Sequence, residues 1–298
     1  MNDLHCNRRA SYYNKIQAYI ARMPSLPTTV IKVLETCNDP NASAKDLKRV
    51  ISLDPVLTGR VLKLINSAYY SLRHPISSLT RAIIMLGLNT VKNLALSFTI
   101  LDNLKTKSSG LSFSPDEFWT HSLCVGVVAK WLAASKGTPP LVGEEYFVAG
   151  LLHDLGKLPL HMQFPAQYHQ VYKAAQSRQE ALHPNEVRFL GVDHCAVGRM
   201  IAQKWCLGAT LVDSLSLHHN PADSSEKNRN FVFIVSLANQ LAIYFNIGNS
   251  GDHFSDHAKI SFQMSKAGMD KTMLNDLQET VLDEIERAKI FLEVFRNG

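Results

Sequence analysis

Hydrophobic residues recur at three- and four-residue spacing through most of the chain, and no segment shows the sustained two-residue alternation of a strand. In "DPVLTGRVLKLI", Asp54 precedes a proline and apolar residues at helical spacing, which predicts a helix start. Ser43 with Asp46 three residues later predicts another start. One helix is expected to end near Gly87 and the next to begin at Asn89. The pattern predicts an all-α protein, a multi-helix bundle.

The clearest break in this pattern is the small, polar stretch 105–115, "KTKSSGLSFSP", which predicts a linker. We therefore expect an N-terminal helical subdomain over 1–108 and a second helical bundle over 109–264. The apolar spacing across 270–295 predicts an amphipathic helix that closes the structure, within a terminal segment 265–298.

Composition narrows the classes of function. The net charge of +5 comes from 31 basic and 26 acidic residues without a dominant block, and no zinc-finger or aromatic-basic motif appears, so nucleic-acid binding is not favoured. The longest apolar stretch, 231–245, is interrupted by polar residues, so no membrane span is expected. The five cysteines form no CxxC pair, and the first residues carry no apolar signal region. These features predict reduced thiols and a cytoplasmic setting.

Candidate chemistry centres on "AGLLHDLGKLPLH", where His153 and Asp154 place a neutral and an anionic donor side by side. We expect Gly156 to let the backbone turn so that Lys157 faces the same cleft and contacts a phosphate oxygen; a helix-end charge is the alternative. Twelve histidines occur in the chain. An isolated histidine is more often a core or surface residue than a ligand, so their pattern matters more than their number.

That pattern resembles a known family. "LLHDLGK" with the upstream histidine of "FWTHSL" resembles the HD superfamily of metal-dependent phosphohydrolases. The segment from "MPSLPTTVIKVLETC" through "PISSLTRAIIMLGLNTVKNLALS" looks like the N-terminal part of the HDOD family, and "LGVDHCAVGRMIAQKW" and "LHHNP" look like its C-terminal part. The resemblance runs from about Met23 to about Ala242. It implies an all-helical fold with an HD-like core and a role in bacterial signal transduction or regulation.

The HD-GYP phosphodiesterases, which hydrolyse cyclic di-GMP, are catalytic relatives of that family. The resemblance carries their metal-site pattern onto Glu117, His121, His153, Asp154, Lys157, His194, His218 and His219. It implies a divalent transition metal, iron, manganese or zinc. Two departures count against catalysis: Asn239 stands where the pattern has an aspartate, and "HHNPADSSEKN" replaces the GYP segment.

Several of these residues have a structural alternative. Glu117 follows Ser114 by three residues and would complete a capping box. His218 and His219 lie near a helix end, where an imidazolium would interact with the last carbonyls. The other histidines nearby match nothing in the motif and are expected at the surface: His161, His169, His183, His253 and His257.

The sequence favours a regulatory protein, non-catalytic or weakly catalytic, whose HD-like cleft binds a metal or a phosphate-containing ligand and whose N-terminal half contacts a protein partner. The alternative is a metal-dependent phosphohydrolase or phosphodiesterase acting on a nucleotide or cyclic dinucleotide.

Overall fold

All secondary structure in the described residues is helical. The computed structural model describes residues 2–70, 72, 74–103 and 114–296 and contains no strand within them. The first half holds α1 (Asn2–Arg22), α2 (Thr28–Asn38), α3 (Ala44–Ile51), α4 (Pro55–Ile65) and α5 (Leu79–Asn103). The predicted all-α class is confirmed.

Local start and stop signals in this half act as predicted. The Asp54 carboxylate accepts a hydrogen bond from the Leu57 backbone N–H at 2.9 Å and caps α4. Ser43 and Asp46 form a reciprocal capping box at the start of α3. Gly87 has a φ of 78° and a ψ of 159°, so α5 is two helical stretches joined at a break that a residue with a side chain rarely adopts.

The second half holds α6 (Pro115–Ser135), α7 (Pro140–Leu152), α8 (Lys157–Gln163), α9 (Pro165–Arg178), α10 (Leu182–Leu190), α11 (His194–Lys204), α12 (Ala209–Leu217), a short 3-10 helix (Pro221–Asp223), α13 (Glu226–Tyr244), α14 (His257–Lys266), α15 (Lys271–Ala288) and α16 (Ile290–Arg296). The single closing helix expected over 270–295 is wrong, because α15 ends at Ala288 and α16 begins at Ile290. Residues 105–113 of the predicted linker lie outside the described residues, and the expected boundary after 264 falls inside α14.

Buried side chains from both halves join one hydrophobic core. The ring of Phe291 on α16 lies 5.1 Å from that of Tyr69 in the first half and 4.6 Å from that of Phe147 on α7. The C-terminal helix therefore packs against both halves.

One stretch of α5, Leu79–Ile100, is long and apolar enough to span a bilayer. The interior of the protein covers 67% of this window, which is the pattern of a core helix.

Glycines set how closely the helices around the candidate site approach. A Cβ atom on Gly150 of α7 would lie 2.7 Å from the Cα of Gly126 on α6, so these two helices cross with backbones nearly in contact. The crossing brings His121, near the start of α6, within 5.7 Å of His153, just after α7, measured between ring centroids.

Candidate metal centre

Six of the predicted ligands come together in the protein interior. His121 lies on α6, the pair His153–Asp154 lies between α7 and α8, His194 is the first residue of α11, and His218 and His219 follow α12. All six side chains are buried, and His219, the most exposed of them, is only 6% exposed. The cluster therefore has almost no direct access from solvent.

Gly156 places α8 against α11, for a reason different from the predicted one. Its φ of −65° and ψ of −18° are ordinary for any residue, so no special turn is needed there. A Cβ atom at this position would lie 2.0 Å from the carbonyl oxygen of His194. The close approach of the two backbones, rather than the turn, is what requires glycine.

Asp154 lies at the middle of the cluster. Its Oδ2 atom is 3.2 Å from Nε2 of His153 and 3.9 Å from Nε2 of His121. Its Oδ1 atom is 3.3 Å from Nε2 of His194 and 3.6 Å from Nε2 of His218. Four imidazole rings thus direct the same nitrogen toward one carboxylate.

Backbone carbonyls fix the tautomer of two of these rings. Nδ1 of His153 lies 2.7 Å from the carbonyl oxygen of Gly150, and Nδ1 of His218 lies 3.0 Å from that of Ser214. Because a carbonyl oxygen only accepts hydrogen bonds, each Nδ1 carries a proton and donates it. In the neutral ring Nε2 is then left with a lone pair directed into the cluster, as a metal ligand requires.

Glu186 orients the third ring. Its Oε2 atom accepts from Nδ1 of His194 at 2.7 Å and from the backbone N–H of the same residue at 2.8 Å, while Tyr168 donates to Oε1 at 2.6 Å. Burial raises the pKa of Glu186, but the neighbouring His194 outweighs this, so the pKa lies below its ordinary value. An ionised carboxylate that holds a ligand histidine is the usual support of a metal site.

The unpaired atoms of the cluster fit a cation. Nε2 of His153 and Oδ1 of Asp154 are buried without a hydrogen-bond partner, and that Nε2 lone pair faces the carboxylate at 3.2 Å. Two acceptors at this distance repel unless a proton or a metal lies nearby. Nε2 of His194 is also 3.3 Å from that of His218 and 3.1 Å from that of His219. Ligands bound about 2.1 Å from one metal lie about 3.0–3.4 Å apart, so this donor set fits a divalent transition metal.

Among the described residues, the potential ligands form two groups. Within each group the donor atoms lie within 4.8 Å of one another: His121, His153 and Asp154 in the first, and His194, Cys195, His218 and His219 in the second. Cys195 was not predicted as a ligand. Its sulfur lies 3.9 Å from both ring nitrogens of His218. Burial raises the pKa of Cys195, but His218 and His194 outweigh burial and bring the pKa to about 7.

Lys157 is not placed as a free phosphate contact. Its Nζ atom donates to Oδ2 of Asp154 at 2.7 Å, to Oδ2 of Asp252 at 2.7 Å and to the hydroxyl of Ser250 at 3.2 Å. An ammonium has three protons, and all three are used inside the protein. Lys157 is therefore a structural cation that links the cluster to the loop after α13.

Charge at the centre is balanced within the protein. Burial raises the pKa of Asp154, but His153 and Lys157 outweigh it and hold the pKa well below its ordinary value. Burial disfavours the charged form of His121 and lowers its pKa to about 4, so this ring is neutral at physiological pH. Asp154 and His121 thus have the protonation states of metal ligands. Burial also disfavours the charged forms of His194 and His218, but Glu186 holds the pKa of His194 well above its ordinary value, and Cys195 and Asp154 raise the pKa of His218 to about 9. A metal must therefore displace a proton from each of these two rings.

Glu117 and Asn239 were the two remaining positions of the family pattern with a predicted role at the cluster. Glu117 is exposed and joins neither donor group, and Ser114 accepts from the Asp116 backbone N–H, so no capping box with Glu117 forms either. The capping-box reading of Glu117 is wrong, and the structure does not bring Glu117 to the cluster. Oδ1 of Asn239, in the position of the missing aspartate, lies 3.0 Å from Nε2 of His121. The neutral amide thus occupies the expected place beside the cluster.

The surface assignment is wrong for His161 and only partly right for His183, which is half-buried. His161 is fully buried and stacks on Tyr168 at 4.9 Å, and His183 stacks on His219 at 4.0 Å, both measured between ring centroids. His253 and His257 are exposed, as expected. His183 therefore packs against one predicted ligand, and neither His161 nor His183 belongs to the donor groups of the cluster.

Comparison with known proteins points to one family. The model of the HDOD domain matches residues 23–221. An HDOD domain protein of unknown function from Geobacter sulfurreducens is 26% identical, with a TM-score of 0.73 over 95% of this chain and 97% of that chain. A candidate phosphohydrolase from Shewanella amazonensis SB2B is 24% identical, with a TM-score of 0.68 over 93% and 97%. A candidate signal transduction protein from Marinobacter aquaeolei VT8 is 20% identical, with a TM-score of 0.72 over 97% and 66%.

A curated relative is much longer than this chain. An uncharacterized protein from Treponema pallidum (strain Nichols) is 24% identical over 217 residues, which are 73% of this chain and 41% of that protein. This chain therefore spans about two fifths of the length of that relative.

Proposed function

The chain belongs to the HDOD family, and from this premise we propose that it is a regulatory protein of signal transduction. In this proposal a closed HD-like centre holds a divalent transition metal, and turnover is absent or weak. The N-terminal half contacts a protein partner, in a cytoplasmic setting.

The closure of the centre is the observation that carries this proposal. The side chain of Asp154 is fully buried, and none of the six predicted ligands gathered around it exceeds 6% exposure. A hydrolase must bring a phosphorus atom and a water molecule to its metal. A cluster without an open approach suits a bound ion that supports one conformation of the protein better than it suits turnover.

The groups that would serve catalysis are committed elsewhere or missing. Lys157 uses its three protons on side chains of the protein, which leaves none for a substrate phosphate. Asn239 supplies a neutral oxygen where the catalytic pattern has a carboxylate, so the centre has one negative charge fewer to hold a metal. Both features favour binding over hydrolysis.

The partner surface is proposed on the first half. Apolar side chains are exposed there at Leu53 (67%), Val56 (56%) and Ile31 (40%). Large apolar side chains left exposed are candidates for contact with another protein. The signal transduction role named for the Marinobacter protein supports a function that includes contact with a protein partner.

A second candidate function is a metal-dependent phosphohydrolase or phosphodiesterase acting on a nucleotide or a cyclic dinucleotide. The observation that favours it is the convergence of Nε2 atoms from His153, His194 and His218 on one carboxylate. Iron, manganese or zinc held there would supply Lewis acidity toward a phosphoryl oxygen. In this reading the cluster must open to admit its substrate.

Elemental analysis together with an activity assay distinguishes the regulatory function from the hydrolase function. We expect freshly purified protein to contain a transition metal and to leave cyclic di-GMP and bis(p-nitrophenyl) phosphate intact after addition of Mn²⁺ or Fe²⁺. A His153→Ala variant should lose the metal. Turnover in the wild-type protein that disappears in His153→Ala would establish the second function, and the absence of any metal would refute the metal centre.

A further inference from the structure

A groove of about 390 Å³ lies beside the metal centre, between the 3-10 helix, α13 and α14. His219, the most exposed histidine of the cluster, forms part of its wall, so the groove borders the cluster without opening it to solvent. Its other walls come from residues 220–266, nearly all of them beyond the part of the chain that the family model matches. A volume of this size accommodates a small-molecule ligand.

Three cations line the groove: Arg229 on α13, and Lys259 and Lys266 on α14. Among the described residues none of the three forms a salt bridge; Arg229 donates to the carbonyl oxygen of Ser224, and Lys259 donates to that of His219. Asp223 is the one carboxylate in the lining, so positive charge is in excess. Such an excess in a concave site favours an anion with several charges.

The groove also offers an aromatic face. Phe262 on α14 is 61% exposed, and Nζ of Lys266 lies 4.8 Å from the centroid of its ring. A flat ring stacks favourably on an exposed phenyl face, and the adjacent ammonium adds an interaction with a phosphate. Phe262 and two of the three cations, Lys259 and Lys266, lie on α14, so the aromatic and cationic parts of the groove are adjacent.

A buried polar atom in the wall lacks a partner. Gln263 is 3% exposed; its Nε2 atom donates to the hydroxyl of Ser236 at 3.0 Å, but its Oε1 atom makes no hydrogen bond. A buried amide oxygen without a partner is costly, and a ligand N–H or O–H would satisfy it. The groove thus combines an excess of positive charge, an exposed aromatic ring and a buried amide oxygen that lacks a partner.

We propose that this groove binds a nucleotide. Arg229, Lys259 and Lys266 hold its phosphates, and Phe262 stacks on its base. Gln263 accepts a hydrogen bond from the base or the ribose. The inference stands independently of the metal, because the groove cations lie on α13 and α14 and none of them belongs to the donor groups of the cluster.

Titration calorimetry of the full chain with ATP, without added divalent metal, tests the proposal. Adenosine and tripolyphosphate serve as probes that carry only one half of the ligand chemistry. We expect ATP to bind at least about tenfold more tightly than either, because only ATP engages both the cations and Phe262.

Variants of exposed residues assign the binding to the groove. The double variant Arg229→Ala/Lys266→Ala should weaken ATP binding by about tenfold or more. Lys227→Ala removes one positive charge from an exposed position of α13 outside the groove and should change the affinity less than about twofold. Phe262→Ala should weaken ATP but leave tripolyphosphate unchanged. Circular dichroism checks that each variant is folded.

Three results would overturn the proposal: no ATP binding up to about millimolar concentration, equal affinity for ATP and tripolyphosphate, or equal losses in Lys227→Ala and the double variant. Metal content is measured on the same samples. Protein that lacks metal but binds ATP refutes the metal centre alone, and protein that holds metal but ignores ATP refutes the groove alone.

Discussion

Oε2 of Glu186 lies 2.7 Å from Nδ1 of His194 and 2.8 Å from the backbone nitrogen of the same residue. One carboxylate oxygen therefore fixes both the ring and the first turn of the helix that carries it. The opposite ring nitrogen faces Asp154 as a consequence.

Replacing Glu186 with glutamine tests this support. The amide keeps the shape but removes the negative charge that orients the ring of His194. We expect metal affinity to fall by about 10–100-fold, measured by competition with a chromophoric chelator. Glu279→Gln, on the exposed side of α15, should leave the affinity unchanged. Unchanged affinity in Glu186→Gln would mean that His194 does not bind the metal.

Lys157 should contribute mainly to stability. In Lys157→Met two buried carboxylates, Asp154 and Asp252, lose their shared cation. Removing one partner of a buried ion pair costs about 3–5 kcal/mol, so we expect a loss of that size in the free energy of unfolding by urea.

Two comparisons sharpen this prediction. Lys173→Met, at an exposed position of α9, should change the free energy of unfolding by less than about 0.5 kcal/mol. The double variant Lys157→Met/Asp252→Asn should recover part of the loss, because it removes one of the unpaired charges. An unchanged free energy of unfolding in Lys157→Met would contradict the structural role and favour the predicted contact of Lys157 with a phosphate oxygen.

Two glycine substitutions should have opposite effects. Gly156→Ala places a Cβ atom 2.0 Å from the His194 carbonyl oxygen, so α8 and α11 must separate and the cluster must distort. We expect lower stability and loss of metal. Gly59→Ala on α4 meets nothing within 4 Å and should stabilise the protein by about 0.5–1 kcal/mol, because alanine favours the helix. Thermal unfolding and metal analysis of both variants check the pair.

The capping box of α3 predicts a dependence on pH. The hydroxyl and the backbone N–H of Ser43 lower the pKa of Asp46 by hydrogen bonding. Because the pKa of Asp46 is lower in the folded state, its ionised form stabilises the protein at pH values above the ordinary pKa of 3.8. This contribution is lost as the pH falls through the folded-state pKa.

Ser43→Ala should therefore be less stable than the wild type near neutral pH, and the gap in the free energy of unfolding should shrink on acidification below about pH 4. Urea titrations between neutral pH and pH 3 measure it. Ser52→Ala, just past the other end of α3, is the control and should show no such trend. A gap that stays constant with pH would contradict the role of Asp46.

Restoring a carboxylate at Asn239 should strengthen metal binding. Asn239→Asp places a negative charge 3.0 Å from Nε2 of His121, at an almost fully buried position. We expect the variant to retain metal at chelator concentrations that strip the wild type, and to be less stable once stripped, because the new charge is then uncompensated. Asn228→Asp, on the same helix but outside the cluster, should lower stability without the gain in metal retention.

Features set by neighbours along the chain were predictable from the sequence. The caps at Ser43 and Asp54 and the break at Gly87 depend on residues within one turn, and each forms as predicted. The gathering of His153 and Asp154 with distant histidines was predictable only through the family resemblance. Spacing alone could not have brought α6, α11 and α12 together.

Features set by distant contacts were missed. Asp252 lies 95 residues along the chain from Lys157, in a loop whose composition gives no sign of a buried carboxylate. Glu186 resembles any glutamate of an amphipathic helix until His194 folds against it. The partial burial of His183 accompanies its stacking on His219, which is a property of the tertiary structure.

The bond from Nζ of Lys259 to the carbonyl oxygen of His219 has a thermodynamic consequence. His219 belongs both to the donor group of the metal centre and to the wall of the groove. If a groove ligand changes metal affinity by some factor, the metal must change the affinity for that ligand by the same factor. Occupancy of the metal centre would then change the affinity of the groove for its ligand, and occupancy of the groove would change the affinity for the metal by the same factor.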